Sequence, residues 1–162
     1  MLLLLVRRGF TIASLAWAAA LPLAALVSRP DNVRQSVIEW MFSAAVYAIG
    51  AAVCHQLPDR SFHIGTAQLA VCARCAGIYC GAALAATACT VARVPLASID
   101  ESTAGRARTT LALAALPTIA TLAFEWSTGV TPGNAIRFLA GLPIGAAVAW
   151  MVVGPVRNVK VN

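Results

Sequence analysis

The sequence predicts an all-α membrane protein, a bundle of about five transmembrane helices with a Cys/His-containing surface loop between the second and third. Two observations about composition and one about its distribution lead there. Hydrophobic residues make up 60% of the chain and charged residues only 11%, against about 45–50% and about 25% in soluble domains. Mean hydropathy is +0.79, so water is not the main solvent of the fold. The apolar residues are also gathered into stretches close to the roughly 20 residues that cross a bilayer. The 162 residues are accordingly expected to form a single membrane domain.

The stretches run over about residues 10–27, 37–53, 76–92, 109–124 and 135–153. The first follows Arg7 and Arg8 and is too long for the 7–15-residue apolar region of a secretory signal, so it is expected to be a retained helix. Arg29-Pro30-Asp31-Asn32 supplies the first turn, residues 95–108 with Asp100 and Glu101 the third connection, and residues 127–134 a turn-rich fourth. The second connection, Cys54 to Cys75, is the longest. Within it Phe62, Ile64 and Gly65-Thr66 suggest a small hairpin at the membrane surface. Gly77 with Gly81, and Gly141 with Gly145, have the small-xxx-small spacing that permits close helix contact.

With five crossings, alternate connections share a face, so Cys54–Cys75 and Glu125–Arg137 are expected to meet. The same count puts Arg7, Arg8, Arg60, Arg74 and Arg137 on the cysteine face, and Arg29, Arg34, Arg93, Arg106, Arg108, Arg157 and Lys160 on the other. If Arg60, Arg74 and Arg137 are set aside as site residues, cations outside the site favour a cysteine face outside the cytoplasm, although the N-terminal Arg pair argues the other way. The formal charge of +6 comes from cations scattered at the ends of apolar runs. That placement suits snorkelling and topology signals and argues against nucleic acid as a partner. The expected partners are the lipid bilayer and, beyond it, a second copy of the chain or a membrane partner protein.

Five cysteines without scaffold spacing argue against a disulfide framework. The chemistry is concentrated in Cys54-His55-Gln56, Arg60-Ser61-Phe62 and Cys72-Ala73-Arg74-Cys75-Ala76-Gly77. Cys72 and Cys75 have the spacing that lets two thiolates converge on one ion, and Cys54 with His55 completes the four donors of a closed tetrahedral zinc site. Adjacent residues need unusual geometry to share an ion, so one of the two could ligate while the other supports, with His63 or Glu125 as the fourth ligand. Gly77 is expected to let the backbone turn around the ion. Arg60, Arg74, Glu125, Asn134 and Arg137 are the supporting candidates, Glu125 and Arg137 as an ion pair. Cys80 and Cys89 read as packing residues. The cofactor expected is zinc or another thiophilic metal.

Two other readings stay open. Cys72 and Cys75 could form a redox dithiol at the start of the third helix, where the helix end and Arg74 would lower a thiol pKa. Alternatively the protein is a structural or assembly subunit with no chemistry. No serine-triad, phosphate-loop or nucleotide motif appears, so hydrolase, kinase and dehydrogenase readings have nothing to stand on. A transporter reading would rest on Glu125 and Arg137 alone, and they lie at helix ends rather than the midplane.

The string Cys-His-Gln, Arg-Ser-Phe and Cys-Ala-Arg-Cys-Ala-Gly-Ile-Tyr-Cys-Gly, over Cys54 to Gly81, resembles a prokaryotic family of multi-span membrane proteins known as domain of unknown function 2085. The resemblance continues more loosely through Asn134, Arg137, Gly141 and Gly145. It marks Cys54, His55, Arg60, Ser61, Phe62, Cys72, Arg74, Cys75, Gly77, Tyr79, Gly81, Asn134 and Arg137 as matching positions. Glu125-Trp126 stands where the family has an Asp-Gly pair. The resemblance implies a prokaryotic plasma-membrane protein and brings no activity with it.

Overall fold

The structure, a computed structural model, describes residues 2–29, 36–92 and 101–153. Five helices are present among them: α1 (Leu2–Val27), α2 (Val37–Val53), α3 (Ala73–Val91), α4 (Glu101–Thr128) and α5 (Asn134–Val153). A 3-10 turn (Pro58–Arg60) and a two-stranded hairpin, β1 (His63–Ile64) and β2 (Ala67–Gln68), fill the connection between α2 and α3. The first turn at 30–32, the connection at 95–100, and Arg34, Arg93, Arg157 and Lys160 lie outside the described residues.

Helices α1, α3, α4 and α5 are each long and apolar enough to cross a membrane. Their outer surfaces carry exposed Leu15, Leu84, Leu113, Ile119 and Leu139, a coating that suits lipid and not water. Several helices outrun the apolar stretches in the sequence. α1 continues through Arg7 and Arg8 because hydropathy marks where lipid contact stops, not where helical hydrogen bonding stops. α3 starts at Ala73, earlier than the apolar run, which puts Cys75 inside the first helical turn.

Four of the five helices run alternately up and down between two ends of the bundle. Arg7 Nε donates to Thr90 Oγ1 at 3.4 Å, while Leu21 and Ala24 pack with Ala76, so α1 and α3 are antiparallel. Phe10, Ala86, Cys89, Ala149 and Val153 cluster together and mark one end, where α1 begins and α3 and α5 finish. Thr118 Oγ1 donates to the Ala140 carbonyl at 2.7 Å, which holds α4 against α5.

Helix α2 behaves differently. Ser36 and Glu39 form a reciprocal capping box at its start, but its 17 residues extend only about 25 Å, short of the roughly 30 Å hydrocarbon layer. Ser43 hydrogen-bonds Ser28 just beyond α1, the Tyr47 hydroxyl donates to the Gln68 carbonyl, and Cys54 at its C-terminal end accepts from the Cys72 N–H. The middle and the C-terminal end of α2 therefore both sit on the face where α1 ends and α3 begins. This moves Arg7 and Arg8 to the face opposite the cysteines, a departure from the alternate-loop count. The second and fourth connections still share a face, because α3 and α4 together cross out and back.

The closest contact in the bundle is between α3 and α5. A Cβ added at Gly77 or Gly81 would come closer than 3.0 Å to the carbonyl of Phe138 or Leu142, and one added at Gly141 or Gly145 would do the same to the carbonyl of Arg74 or Ile78. The two small-xxx-small pairs thus face each other. Gly77 is used for this approach and not to turn the backbone around an ion: it is helical, and its missing side chain admits the neighbouring helix. Replacing Gly81 or Gly145 by Val should lower stability by about 1–3 kcal/mol through overpacking, read as a fall in the thermal unfolding midpoint in detergent. Gly105, where an added Cβ meets open space, should accept Ala without loss.

Candidate metal centre

The cysteine loop is shaped by backbone capping and two glutamines. Cys54 caps α2 in an extended conformation, so consecutive side chains point opposite ways. Cys54 turns inward and His55 is left exposed. Gln56 then takes a left-handed backbone (φ 49°), uncommon for a residue with a side chain, and its amide nitrogen donates to the carbonyls of Tyr47 (2.9 Å) and Ala70 (2.7 Å). Gln68 returns the favour across the loop, its amide nitrogen donating to the Gln56 carbonyl (2.6 Å) and to Ser61 Oγ (3.2 Å). The hairpin pairs His63 with Gln68 and Ile64 with Ala67, around a turn in which Gly65 has positive φ. This is the small hairpin expected from Ile64 and Gly65-Thr66.

At the far end of the loop Cys72 is the N-cap of α3, and Cys75 stands three residues on. In a capping box these two positions face each other, and here both carry sulfur. Cys54 joins them: the Cys72 N–H donates to Cys54 Sγ at 3.2 Å. The sulfurs of Cys54, Cys72 and Cys75 all lie within 4.8 Å of one another. Three thiolates around zinc at about 2.3 Å would stand about 3.8–4.0 Å apart, so modest inward movement is enough to close on an ion. All five cysteines are free thiols. Cys89 is buried in the apolar cluster at the opposite end, the packing role expected of it, and Cys80 lies outside the sulfur group.

The other candidate ligands are not gathered here. His55 and His63 are exposed and neither belongs to the sulfur group. Glu125 is buried in a separate cluster of charges. It pairs directly with Arg137 and lies 3.8 Å from Arg74 Nη2 and 3.9 Å from Arg60 Nη1. Arg137 is 1% exposed, in the first turn of α5, and Glu125 is in the last turn of α4. Each is at the end of its helix that the macrodipole disfavours, so their pairing offsets both penalties and ties the two helix ends together. Asn134 adds a second tie, its Nδ2 donating to the Ser61 carbonyl at 2.9 Å. Phe62 stacks edge-on against Phe138 at 5.9 Å. The loop, α3, α4 and α5 thus meet at one end, with Arg74 standing between Cys72 and Cys75 in sequence.

The Cys72 thiol is pulled down to about 5, chiefly by the hydrogen bond from the Cys75 side chain, with burial working against it and the backbone N–H of Cys75 assisting. A thiolate at Cys72 is therefore present through neutral pH and lost as pH falls through about 5. Sequence reasoning found the sulfurs and the charges. It missed Gln68, Tyr47 and Thr121, the last of which accepts from Arg74 Nη2 at 3.2 Å, because their roles depend on long-range partners.

A comparison with known families matches residues 54–151, more than half of the chain, to the family described as predicted membrane protein (DUF2085). An uncharacterized protein of Methanocaldococcus jannaschii is 54% identical over 43 residues, which are 26% of this chain and 28% of that relative. No solved structure matches the chain. Metal-free protein should be alkylated by iodoacetamide at Cys72 with a rate that reaches half its plateau near pH 5, and Cys75→Ala should move that midpoint up toward the ordinary thiol range of about 8.5. Mass-spectrometric mapping of the labelled cysteine against pH checks both.

Proposed function

Starting from the fact that the chain belongs to the DUF2085 family of membrane proteins, we propose that it is a membrane metal-thiolate protein in which Cys54, Cys72 and Cys75 hold zinc or another thiophilic ion. The observation that carries this reading is the convergence of three sulfurs from two ends of one loop, at the tips of two helices. Cysteine used as a small hydrophobe does not need such convergence. Three protein donors leave a fourth position for water, a substrate atom, or a side chain of a partner, the pattern of reactive rather than closed zinc sites. His55, exposed beside Cys54, is the nearest imidazole in sequence but stands outside the sulfur group.

The low thiol pKa at Cys72 supports a second reading, a thiol-disulfide oxidoreductase in which Cys72 attacks and Cys75 resolves. The presence of Cys54 within the same group favours metal, since a dithiol exchange needs two sulfurs and not three.

The plasma membrane of a prokaryote is the proposed location, with the cysteine end outside the cytoplasm. The support comes from charge. Among the described residues, Arg7, Arg8, Arg106 and Arg108 belong to the opposite end, and the cysteine end keeps Arg29 besides the site residues Arg60, Arg74 and Arg137. The N-terminal pair thus joins the cations that mark a cytoplasmic side.

Detergent-purified protein should carry close to one zinc or similar ion per chain by elemental analysis, with at least about a tenfold loss of affinity in Cys54→Ser, Cys72→Ser and Cys75→Ser, and no loss in Cys80→Ser. Folded protein that takes up no metal and cycles reversibly between a Cys72–Cys75 disulfide and dithiol would instead select the redox reading. In intact cells, a membrane-impermeant maleimide should label the cysteine end from outside; labelling only after permeabilisation reverses the orientation.

A further inference from the structure

The charged cluster beside the cysteines has more cation than its own carboxylate can balance. Three guanidiniums face the single carboxylate of Glu125. The Arg74 side chain is 16% exposed and that of Arg137 2%, and burying an uncompensated charge is costly. The pairing is also incomplete in hydrogen-bond terms. Arg60 and Arg74 approach Glu125 only at 3.9 and 3.8 Å, beyond hydrogen-bond reach. Arg74 gives one hydrogen bond, to Thr121 Oγ1 at 3.2 Å, and its Nε has no partner. Nε and Nη1 of Arg137 are likewise buried without a hydrogen-bond partner.

Two further features add to the positive field. Arg74 and Arg137 stand in the first turns of α3 and α5, so two helix N-termini, each a favourable place for an anion, open toward the same cluster. Arg60 comes from the loop and its side chain is 43% exposed, which gives the cluster a side open to the outside. Guanidinium forks only partly engaged by Glu125, excess positive charge and an exposed entrance are what a tetrahedral oxyanion needs. Guanidinium forks match phosphate oxygens in pairs, a geometry that a lone carboxylate shared three ways does not satisfy.

We propose that Arg60, Arg74 and Arg137 form a binding site for a phosphate-type oxyanion at the cysteine-bearing end of the bundle. The oxyanion is either free in solution or the headgroup of an anionic phospholipid at the membrane surface. Glu125 is the built-in competitor that keeps Arg137 paired when the anion is absent. The site does not rest on the metal reading, because its donors are guanidiniums and not sulfurs.

The test follows thermal unfolding of the detergent-purified full chain in inorganic phosphate, with sodium chloride at matched ionic strength as the control. A second arm uses protein reconstituted in phosphatidylglycerol or phosphatidylcholine vesicles. Phosphate should raise the unfolding midpoint saturably while chloride does not. Arg60→Gln, compared with its own phosphate-free unfolding midpoint, should weaken the apparent phosphate affinity about tenfold, the loss expected for one charge-assisted hydrogen bond. Glu125→Gln should tighten it. If phosphate has no effect but phosphatidylglycerol stabilises the protein and Arg60→Gln removes that stabilisation, the oxyanion is the lipid's. Equal response to phosphate and chloride together with equal stability in both lipids overturns the proposal, as does an unchanged response in Arg60→Gln. A phosphate response lost in Cys72→Ser would place the anion on the metal and overturn it too.

Discussion

Between α3 and α5 there is no room for a methyl group. Gly77 and Gly81 on one helix and Gly141 and Gly145 on the other press against each other's carbonyls, and the rest of the cysteine end is arranged around that contact. Helices this close are held by van der Waals packing, the main source of association where lipid removes the hydrophobic driving force. The consequence is positional. Arg74 in the first turn of α3 is brought beside the first turn of α5, where Arg137 points inward, and Cys72 and Cys75 flank Arg74 on the same turn.

The charges at this end are held in an arrangement that each helix alone would disfavour. A cation at the start of α5 and an anion at the end of α4 both oppose the helix dipole, and a single charge buried at membrane depth costs about 2.5–3.5 kcal/mol on insertion scales. Together they offset those costs and join α4, α5, α3 and the loop through Arg60. Beside them the Cys72 thiolate is favoured chiefly by the hydrogen bond from the Cys75 side chain. Loop, charges and sulfurs therefore depend on one another: the glutamine bridges fix the loop, the Asn134 bond docks it on α5, and the docked loop presents Cys54 to Cys72.

Much of this is legible in the residues themselves. Apolar runs announced five helices, Cys72 and Cys75 announced a sulfur pair, Gly65-Thr66 a hairpin, and Glu125 with Arg137 an ion pair, because each signal is local or follows from which helix ends share a face. What escaped has a common physical cause. Hydropathy does not show which end of the bundle a helix packs against, so alternation put Arg7 and Arg8 with the cysteines, whereas α2 contacts the face where α1 ends and Arg7 meets Thr90 at the opposite end. Adjacency left open whether Cys54 or His55 would ligate while the other supports, and it is the Cys54 sulfur that the fold brings to Cys72 and Cys75. Gly77 next to the sulfurs suggested a turn around an ion, but a helix packing partner sixty residues distant along the chain decided its use, something no local pattern encodes.

A metal held by three thiolates from the two ends of one loop is the claim on which the functional reading depends. X-ray absorption at the metal edge of the zinc-loaded protein tests it most directly. The account predicts a shell of three sulfurs at about 2.3 Å with one lighter scatterer completing the site. A shell made only of nitrogen and oxygen, or one unchanged when Cys54 is replaced by serine, would contradict it.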